Sequence, residues 1–169
     1  QVYFHKVNML TQNYLVRMLS RARALAHDGA LSLSPSLENM LLNSNLDAKG
    51  YAALNDAHVR VALPDWAEHD DAILSHYAMR LLSRRDFHKS LRIEGLSTEM
   101  VSVVLPRLEA LVAEAGYDPN IDVITARISK RGYMPYEQGI LLEDGRDAAD
   151  HSPLVRSLTQ PNERALIFV

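Results

Sequence analysis

Apolar residues recur three and four positions apart through residues 2–26, and no Gly or Pro interrupts them. This spacing predicts a long helix with one face in the core. The apolar face comprises Leu15, Met18, Leu19, Ala22, Leu25 and Ala26, with Val7, Leu10 and Tyr14 extending it towards the start. The opposite, polar face carries Asn13, Arg17, Ser20 and Arg21. We predict that the helix ends near His27-Asp28-Gly29, because glycine is common just past a helix end.

Four more helices are indicated by capping residues and apolar spacing. They begin at Pro35 behind the cap Ser34, run from Asn55 or Asp56 to Pro64, span Ala72–Ser83, and extend from about Ser97 to Ala115. Pro106 lies within the last of these, which predicts a kink there or a later start near Leu105. Residues 43–50 are polar and predict a turn.

Strands are indicated in the second half of the chain. Residues 90–93, 121–128, 139–145 and 165–169 have the apolar content of short strands, and Ser152-Pro153 begins a single helical turn through Leu158. The loop from Tyr133 to Tyr136 is either an exposed aromatic interface or a folded-over loop. The pattern predicts a mainly α fold with a small mixed α/β lobe (α+β). Its bundle-like helical body covers residues 1–116, and the lobe covers 117–169 and shares the core.

The composition is that of an ordinary globular protein, with 47% of the 169 residues hydrophobic and 23% charged. A net charge of −3 argues against a nucleic-acid-binding protein that relies on neutralising phosphates. The chain has no cysteine, which excludes disulfides and thiolate metal sites. No apolar run approaches the length of a membrane span. We therefore expect a cytoplasmic protein that binds neither membranes nor, strongly, nucleic acid.

Two His-Asp dipeptides, His27-Asp28 and His69-Asp70, are candidate metal ligands. A metal site of the HD type needs an upstream His, a His-Asp pair and a distant Asp that converge from separate helices. Both dipeptides lie at helix ends, where they are explained by the helix dipole. A second grouping, His69, Asp70, Asp71 and His76, is explained by acidic residues at a helix start. We expect no metal site among these residues.

Two basic clusters remain as candidate anion sites. Tyr3, His5 and Lys6 lie at the start of the long helix, with His5, Asn8 and Gln12 spaced to share a face. Residues 84–89, with the sequence RRDFHK, follow an apolar helix. Lysine and arginine there suit phosphates, although a solvated helix end explains both clusters from the residues alone.

Residues 2–6, VYFHK, followed by a long amphipathic helix, resemble the segment after the catalytic residues in HD-domain phosphohydrolases of the deoxynucleoside triphosphate triphosphohydrolase type. Further matches follow in order: NDAHVRVAL at 55–63, DDAILSHYAMRLLSRRDFHK at 70–89, and ILLEDG, SPLV and IFV between 140 and 169. Together they span nearly the whole chain. The helical periodicity already runs at the start, no cap residue precedes it, and Gln1 is not Met. We therefore expect a piece of a longer protein.

The resemblance implies roles for five residues. Tyr3 matches a substrate-pocket tyrosine near the sugar, and His5, Lys6, Arg85 and Lys89 match a regulatory nucleotide site at a subunit interface. His88 departs from the family, which usually has an aromatic residue there.

The family's catalytic residues and divalent metal ligands lie before the segment that VYFHK matches. The resemblance thus implies the C-terminal portion of a metal-dependent phosphohydrolase of (deoxy)nucleoside triphosphates that forms homo-oligomers. We expect neither catalytic residues nor a cofactor in this chain, and no activity from it alone. The alternative is a non-catalytic helical interaction module whose basic clusters are solvated faces.

Overall fold

The computed structural model describes residues 5–43, 47–91, 98–130, 132–137, 139–160 and 162–169. Its helices are α1 (Lys6–His27), α2 (Pro35–Leu41), α3 (Ala48–Ala53), α4 (Asp56–Ala67), α5 (Ala72–Ser83), α6 (Thr98–Glu114), α7 (Pro119–Asp122), α8 (Ala148–His151) and α9 (Pro153–Leu158). The strands are β1 (Ser90–Leu91), β2 (Ile124–Lys130) and β3 (Asn162–Phe168). The predicted fold class, mainly α with a small α/β part, is confirmed. Within the described ranges, no helix is both long enough and apolar enough to cross a membrane.

The chain forms two compact units. Unit 1 contains Gln1–Lys89 and Asn120–Ile124, and unit 2 contains Ser90–Pro119 and Thr125–Val169. The helix α6 therefore belongs with the strands, whereas the sequence pattern assigned it to a helical body ending at 116. The apolar face of α6 alone gives no sign of whether its partner is a helix or a sheet, which explains the difference.

In unit 2, β3 is the central strand of a three-stranded sheet with the order β1-β3-β2. β1 runs antiparallel to β3, with Ser90 opposite Phe168 and Leu91 opposite Ile167. Ile167 and Phe168 are both buried although they point to opposite faces, and α6 packs against β3. The last strand thus lies in the core of its unit rather than at a solvated edge.

The Tyr133–Tyr136 loop in unit 2 is folded over the buried carboxylate of Asp147. That carboxylate accepts hydrogen bonds from the backbone N–H groups of Tyr136 (2.9 Å) and Ala149 (2.8 Å). A side chain at Gly139 would collide with it. These contacts favour the folded-over loop, although the Tyr136 ring itself remains 62% exposed.

The core of unit 1 is built on α1, whose buried residues form an i, i+4 stripe: Leu10, Tyr14, Met18, Ala22 and Leu25. The helix ends as predicted. Gly29 adopts a left-handed conformation (φ 73°), and the N–H of Ala30 donates to the carbonyl of Leu25 at 2.8 Å. The start differs from the expectation. The helix begins at Lys6 with His5 in an extended conformation as its cap, rather than at residue 2 without one.

Helix α5 packs against both α1 and α4. It runs antiparallel to α1, since Arg21 pairs with Asp71 and the earlier Tyr14 contacts the later Tyr77. The N-terminal end of α5 is held by a bidentate ion pair between Arg21 and Asp71, with 2.6 Å between the closest atoms. Further along α5, Tyr77 contacts both Tyr14 and Arg17. Arg17 and Arg21, which the pattern assigned to the solvent face, therefore flank the buried stripe.

Other boundaries also differ from the predictions. The polar stretch 43–50 contains the start of α3, capped by Asp47. Helix α4 continues past Pro64 to Ala67, where Trp66 is buried, because packing of its last turn outweighs the backbone bond that proline cannot make. Residues 119–122 form α7 rather than part of a strand.

We predict that Leu74→Ala lowers the free energy of unfolding by about 2–5 kcal/mol, because Leu74 is fully buried in α5 and its loss leaves a cavity. The matched control is Leu82→Ala on the same helix. That side chain is 46% exposed, so the loss should be about 1 kcal/mol or less. Urea unfolding measures both, and equal losses would contradict the burial of this face.

We also predict that the Arg21–Asp71 ion pair stabilises the folded protein at neutral pH and loses this effect in acid. The hydrogen bond from Arg21 lowers the pKa of Asp71 from its ordinary 3.8. The contribution of this ion pair to the free energy of unfolding is thus present above about pH 4. It is lost as the pH falls through the pKa of Asp71 in the folded state. Asp71→Asn keeps a helix-capping oxygen but not the charge. It should be less stable than wild type at neutral pH, and the difference should shrink towards pH 3. A difference that is constant with pH, or that Asp70→Asn reproduces, would contradict this.

Candidate functional site

The segment after α5, residues 84–89, folds back on itself. Arg84 (φ 55°) and Asp86 (φ 53°) both have left-handed backbone conformations, which is uncommon for residues other than glycine. The N–H of Arg84 closes α5 on the carbonyl of Arg80, and Arg80 Nε donates to the carbonyl of Asp86 at 2.9 Å. Strained backbone of this kind persists where surrounding contacts determine it, and it is frequent at functional sites.

Tyr14 in the middle of α1 anchors this segment. Its hydroxyl accepts the backbone N–H of His88 at 3.0 Å and lies 2.5 Å from His88 Nδ1. The ring of Phe87 packs edge-on against Tyr14, with ring centroids 5.6 Å apart. Burial raises the pKa of Tyr14, so the hydroxyl keeps its proton at neutral pH. The basic segment is therefore held against α1 by one buried tyrosine.

The antiparallel register of α1 and α5 brings three predicted site residues to one end of this helix pair. Arg21 pairs with Asp71, and Tyr14 and Arg17 contact Tyr77. Both helices rise by the same distance per residue, so this pairing can be extended along them. It then brings the C-terminal end of α5 opposite about residue 9, in the first turn of α1. His5 and Lys6 begin that turn, and Arg85 follows the end of α5.

The predicted residues at this end are exposed. His5 Nδ1 accepts the N–H of Val7 at 3.4 Å, so this side chain caps the helix and does not share a helical face with Asn8 and Gln12. Within the described part of the chain, the side chains of Lys6, Arg85 and Lys89 form no hydrogen bond or ion pair. Lys89 follows His88 and so lies nearer the level of Tyr14. Tyr3 lies outside the described residues.

Arg17 holds the turn of α7 against α1 and α5. Its guanidinium donates to the carbonyls of Asn120 (2.8 Å) and Val123 (3.1 Å) and to the Tyr77 hydroxyl (2.9 Å). The Tyr77 hydroxyl in turn donates to the carbonyl of Ile121 at 2.9 Å. This role could not be predicted from the sequence, because the carbonyl partners lie more than a hundred residues away and backbone carbonyls leave no side-chain pattern.

This turn brings Asp122 beside two histidines of unit 1. His88 Nε2 lies 3.7 Å from Asp122 Oδ1, and donor atoms of His76, His88 and Asp122 all lie within 4.8 Å of one another. Burial, followed by the charge of Arg80, lowers the pKa of His76 to about 4, and the same causes lower that of His88. Both imidazoles are therefore neutral at pH 7. The sequence did not predict this cluster, whose third member comes from the unpredicted helix α7.

Among the residues that the structure describes, neither His-Asp dipeptide belongs to such a cluster. His27 and Asp28 are 3.5 Å apart at the end of α1, with side chains 83% and 74% exposed. His69 Nδ1 accepts the N–H of Asp71 at 3.0 Å, and Asp71 is paired with Arg21. Both dipeptides thus have the helix-end roles expected of them.

A concavity of about 220 Å³ lies elsewhere in unit 1. Its wall is largely apolar, including Leu37, Val61 and Trp66, and Asp65 and His69 add polar groups. The predicted nucleotide-site residues that the structure describes, His5, Lys6, Arg85 and Lys89, do not line it.

No protein-family model matches the chain. It is 28% identical over 140 residues to the uncharacterized protein YwfO of Bacillus subtilis (strain 168), a match that covers 82% of this chain and 31% of that protein. Its fold matches part of a phosphohydrolase from Bacteroides thetaiotaomicron with a TM-score of 0.67, 24% identity, and coverage of 98% of this chain and 45% of that one. A hypothetical protein from Aquifex aeolicus matches with a TM-score of 0.59, 24% identity, and coverage of 100% and 37%.

The chain thus spans less than half the length of each of these proteins. The structural matches show a shared fold, and one of the proteins that share it is a phosphohydrolase.

We predict that Arg17→Lys lowers the free energy of unfolding by about 1–3 kcal/mol. Lysine keeps the charge but cannot donate to three separated acceptors, one of which is the carbonyl of the buried Val123. Arg23→Lys, on an exposed position of the same helix, is the control and should change little. Urea unfolding of both variants tests this, and an Arg17→Lys protein as stable as the control would show that the clamp is not needed.

Proposed function

We propose that this chain is the C-terminal part of an HD-type phosphohydrolase acting on (deoxy)nucleoside triphosphates. The reaction would be hydrolysis at the α-phosphorus, which releases a nucleoside and triphosphate. The observation that carries the proposal is the fold match to a phosphohydrolase over 98% of this chain. The order of the sequence segments that resemble the triphosphohydrolase family supports the narrower substrate class.

The divalent metal ion of such an enzyme does not fit the His-Asp dipeptides of this chain. His27 and Asp28 point into solvent at a helix end, and His69 is engaged in the cap of α5. The proposal therefore assigns the catalytic ligands to other parts of the parent protein, and no catalytic step is attributed to residues here.

The proposed contribution of this chain is nucleotide binding. His5, Lys6 and Arg85 lie at one end of the α1–α5 pair, and Lys89 lies on the segment that Tyr14 holds. The lysine and arginine side chains are exposed and have no charged partner among the described residues. Their positive charges are therefore available to bind a phosphate group. We assign these four residues to a regulatory nucleotide and Tyr3 to the substrate pocket.

We also propose a homo-oligomer contact on α1. Val7, Leu15 and Val16 are 39%, 38% and 63% exposed, although the core of unit 1 is built on this helix. Exposed apolar side chains on such a helix favour a contact with a second copy of the chain, and Val7 follows Lys6 of the proposed nucleotide site.

For the parent enzyme, we predict that Lys6→Ala and Arg85→Ala each raise the nucleotide concentration needed for activation by about tenfold to a hundredfold. A charge-assisted contact to phosphate is worth about 1.5–3 kcal/mol. Lys49→Ala, an exposed lysine of α3, is the control. Activation by added dGTP is the measurement. Wild-type activation in both variants would remove the regulatory site from the proposal.

The chain by itself should not hydrolyse deoxynucleoside triphosphates in Mg²⁺ or Mn²⁺, because its His-Asp dipeptides do not converge with a third ligand. Release of triphosphate from dGTP by the purified chain is the assay. Turnover that a chelator abolishes and that Asp28→Asn also abolishes would show that the exposed dipeptide is catalytic after all.

A further inference from the structure

We propose that His76, His88 and Asp122 form a binding site for a divalent transition-metal ion, and that Zn²⁺ suits its donors best. All three residues belong to unit 1. They come from α5, from the segment after it and from α7. An ion there would tie the two segments to one helix. The inference does not depend on the proposed function.

The geometry is close to that of a metal site. The donor atoms lie within 4.8 Å of one another, and His88 Nε2 and Asp122 Oδ1 are 3.7 Å apart. Ligands of a tetrahedral zinc ion at about 2.0–2.2 Å from the metal are about 3.3–3.6 Å from each other. The present separations, of up to 4.8 Å, are wider than this, so binding an ion requires the three side chains to move closer together. Two imidazoles and a carboxylate are borderline donors that suit Zn²⁺, with water as the fourth ligand.

Two buried nitrogen atoms give a second, independent indication. His76 Nε2 and His88 Nε2 are both inaccessible and have no hydrogen-bond partner among the described residues, and the His88 side chain is only 3% exposed. Buried polar atoms without partners are rare and call for an explanation such as an ion. Packing alone, with His76 edge-on to Tyr77 at 5.1 Å, leaves both nitrogens unsatisfied. One shared cation satisfies both.

Tyr14 supplies the support that metal-binding histidines usually have. A histidine that binds metal through Nε2 holds its proton on Nδ1 and donates it to a neighbour that fixes the ring. His88 Nδ1 lies 2.5 Å from the Tyr14 hydroxyl, whose oxygen can accept a hydrogen bond from Nδ1–H in that tautomer. Tyr14 is thus a positioning residue for His88 in this site.

The charged side chains around the cluster affect its affinity for a metal ion. The guanidinium of Arg17 is directed at backbone carbonyls of α7, and Arg80 Nε donates to the carbonyl of Asp86. These two cations repel a metal ion, and the carboxylate of Asp122 offsets part of that repulsion.

The test uses the whole chain, stripped with a chelator and titrated with Zn²⁺ by calorimetry. We expect one ion per chain. His76→Gln should weaken binding at least tenfold, and Tyr14→Phe about tenfold to a hundredfold. His27→Gln, which removes an exposed histidine, should bind like wild type. Zn²⁺ should raise the unfolding temperature of wild type and of His27→Gln but not of His76→Gln. Absence of stoichiometric binding, or equal binding by wild type and His76→Gln, would overturn the proposal.

A measurement on the unmodified chain guards against variants that fail to fold. X-ray absorption at the zinc edge should show four light-atom ligands at about 2.0–2.2 Å, two of them imidazoles. Zinc without imidazole ligands would overturn the proposal as firmly as a failure to bind.

Discussion

The antiparallel packing of α1 on α5 is the constraint on which the rest of unit 1 depends. Apolar burial brings the two helices together, but a stripe repeating every four residues could slide by one turn without losing its burial. Polar contacts prevent such a slide, because Arg21 forms an ion pair with Asp71 at one end and Tyr77 contacts Tyr14 and Arg17 in the middle. The register then decides which residues meet at the far end.

Side chains of α1 bind two segments that are distant from it in sequence and hold them against the α1–α5 pair. Tyr14 holds residues 84–89, and Arg17 holds the turn at 120–123. In one case a tyrosine within the buried stripe, and in the other an arginine that flanks it, hydrogen-bonds to backbone groups of the distant segment. The consequence is that exposed cations and a half-buried His-His-Asp cluster both lie near α1, although the pattern of α1 alone shows an ordinary core helix.

Local signals in the sequence located most helices of unit 1. Asp71 caps α5, and Gly29 ends α1, where predicted. Periodicity could not distinguish Arg17 and Arg21 from solvated residues, because a polar residue that flanks the buried stripe and one that faces water have the same pattern. It also could not reveal Asp122 as a neighbour of His88, since that contact depends on a four-residue helix with no periodicity of its own. The residues that resemble a nucleotide site came from likeness to a family, and from the register of α1 on α5 we expect three of those four at one end of the helix pair.

The register is tested most directly by measuring distances between spin labels, which the absence of native cysteine makes specific. The pair Lys6→Cys with Arg85→Cys should give one narrow distribution below about 25 Å, since packed helix axes are about 8–10 Å apart and the labels add the rest. Lys6→Cys with Asp70→Cys should be longer by roughly 20 Å, because Asp70 lies near the opposite end of α1 at 1.5 Å per residue. Similar distances for the two pairs, or a longer one for Lys6 and Arg85, would contradict the register and with it the grouping of the basic residues.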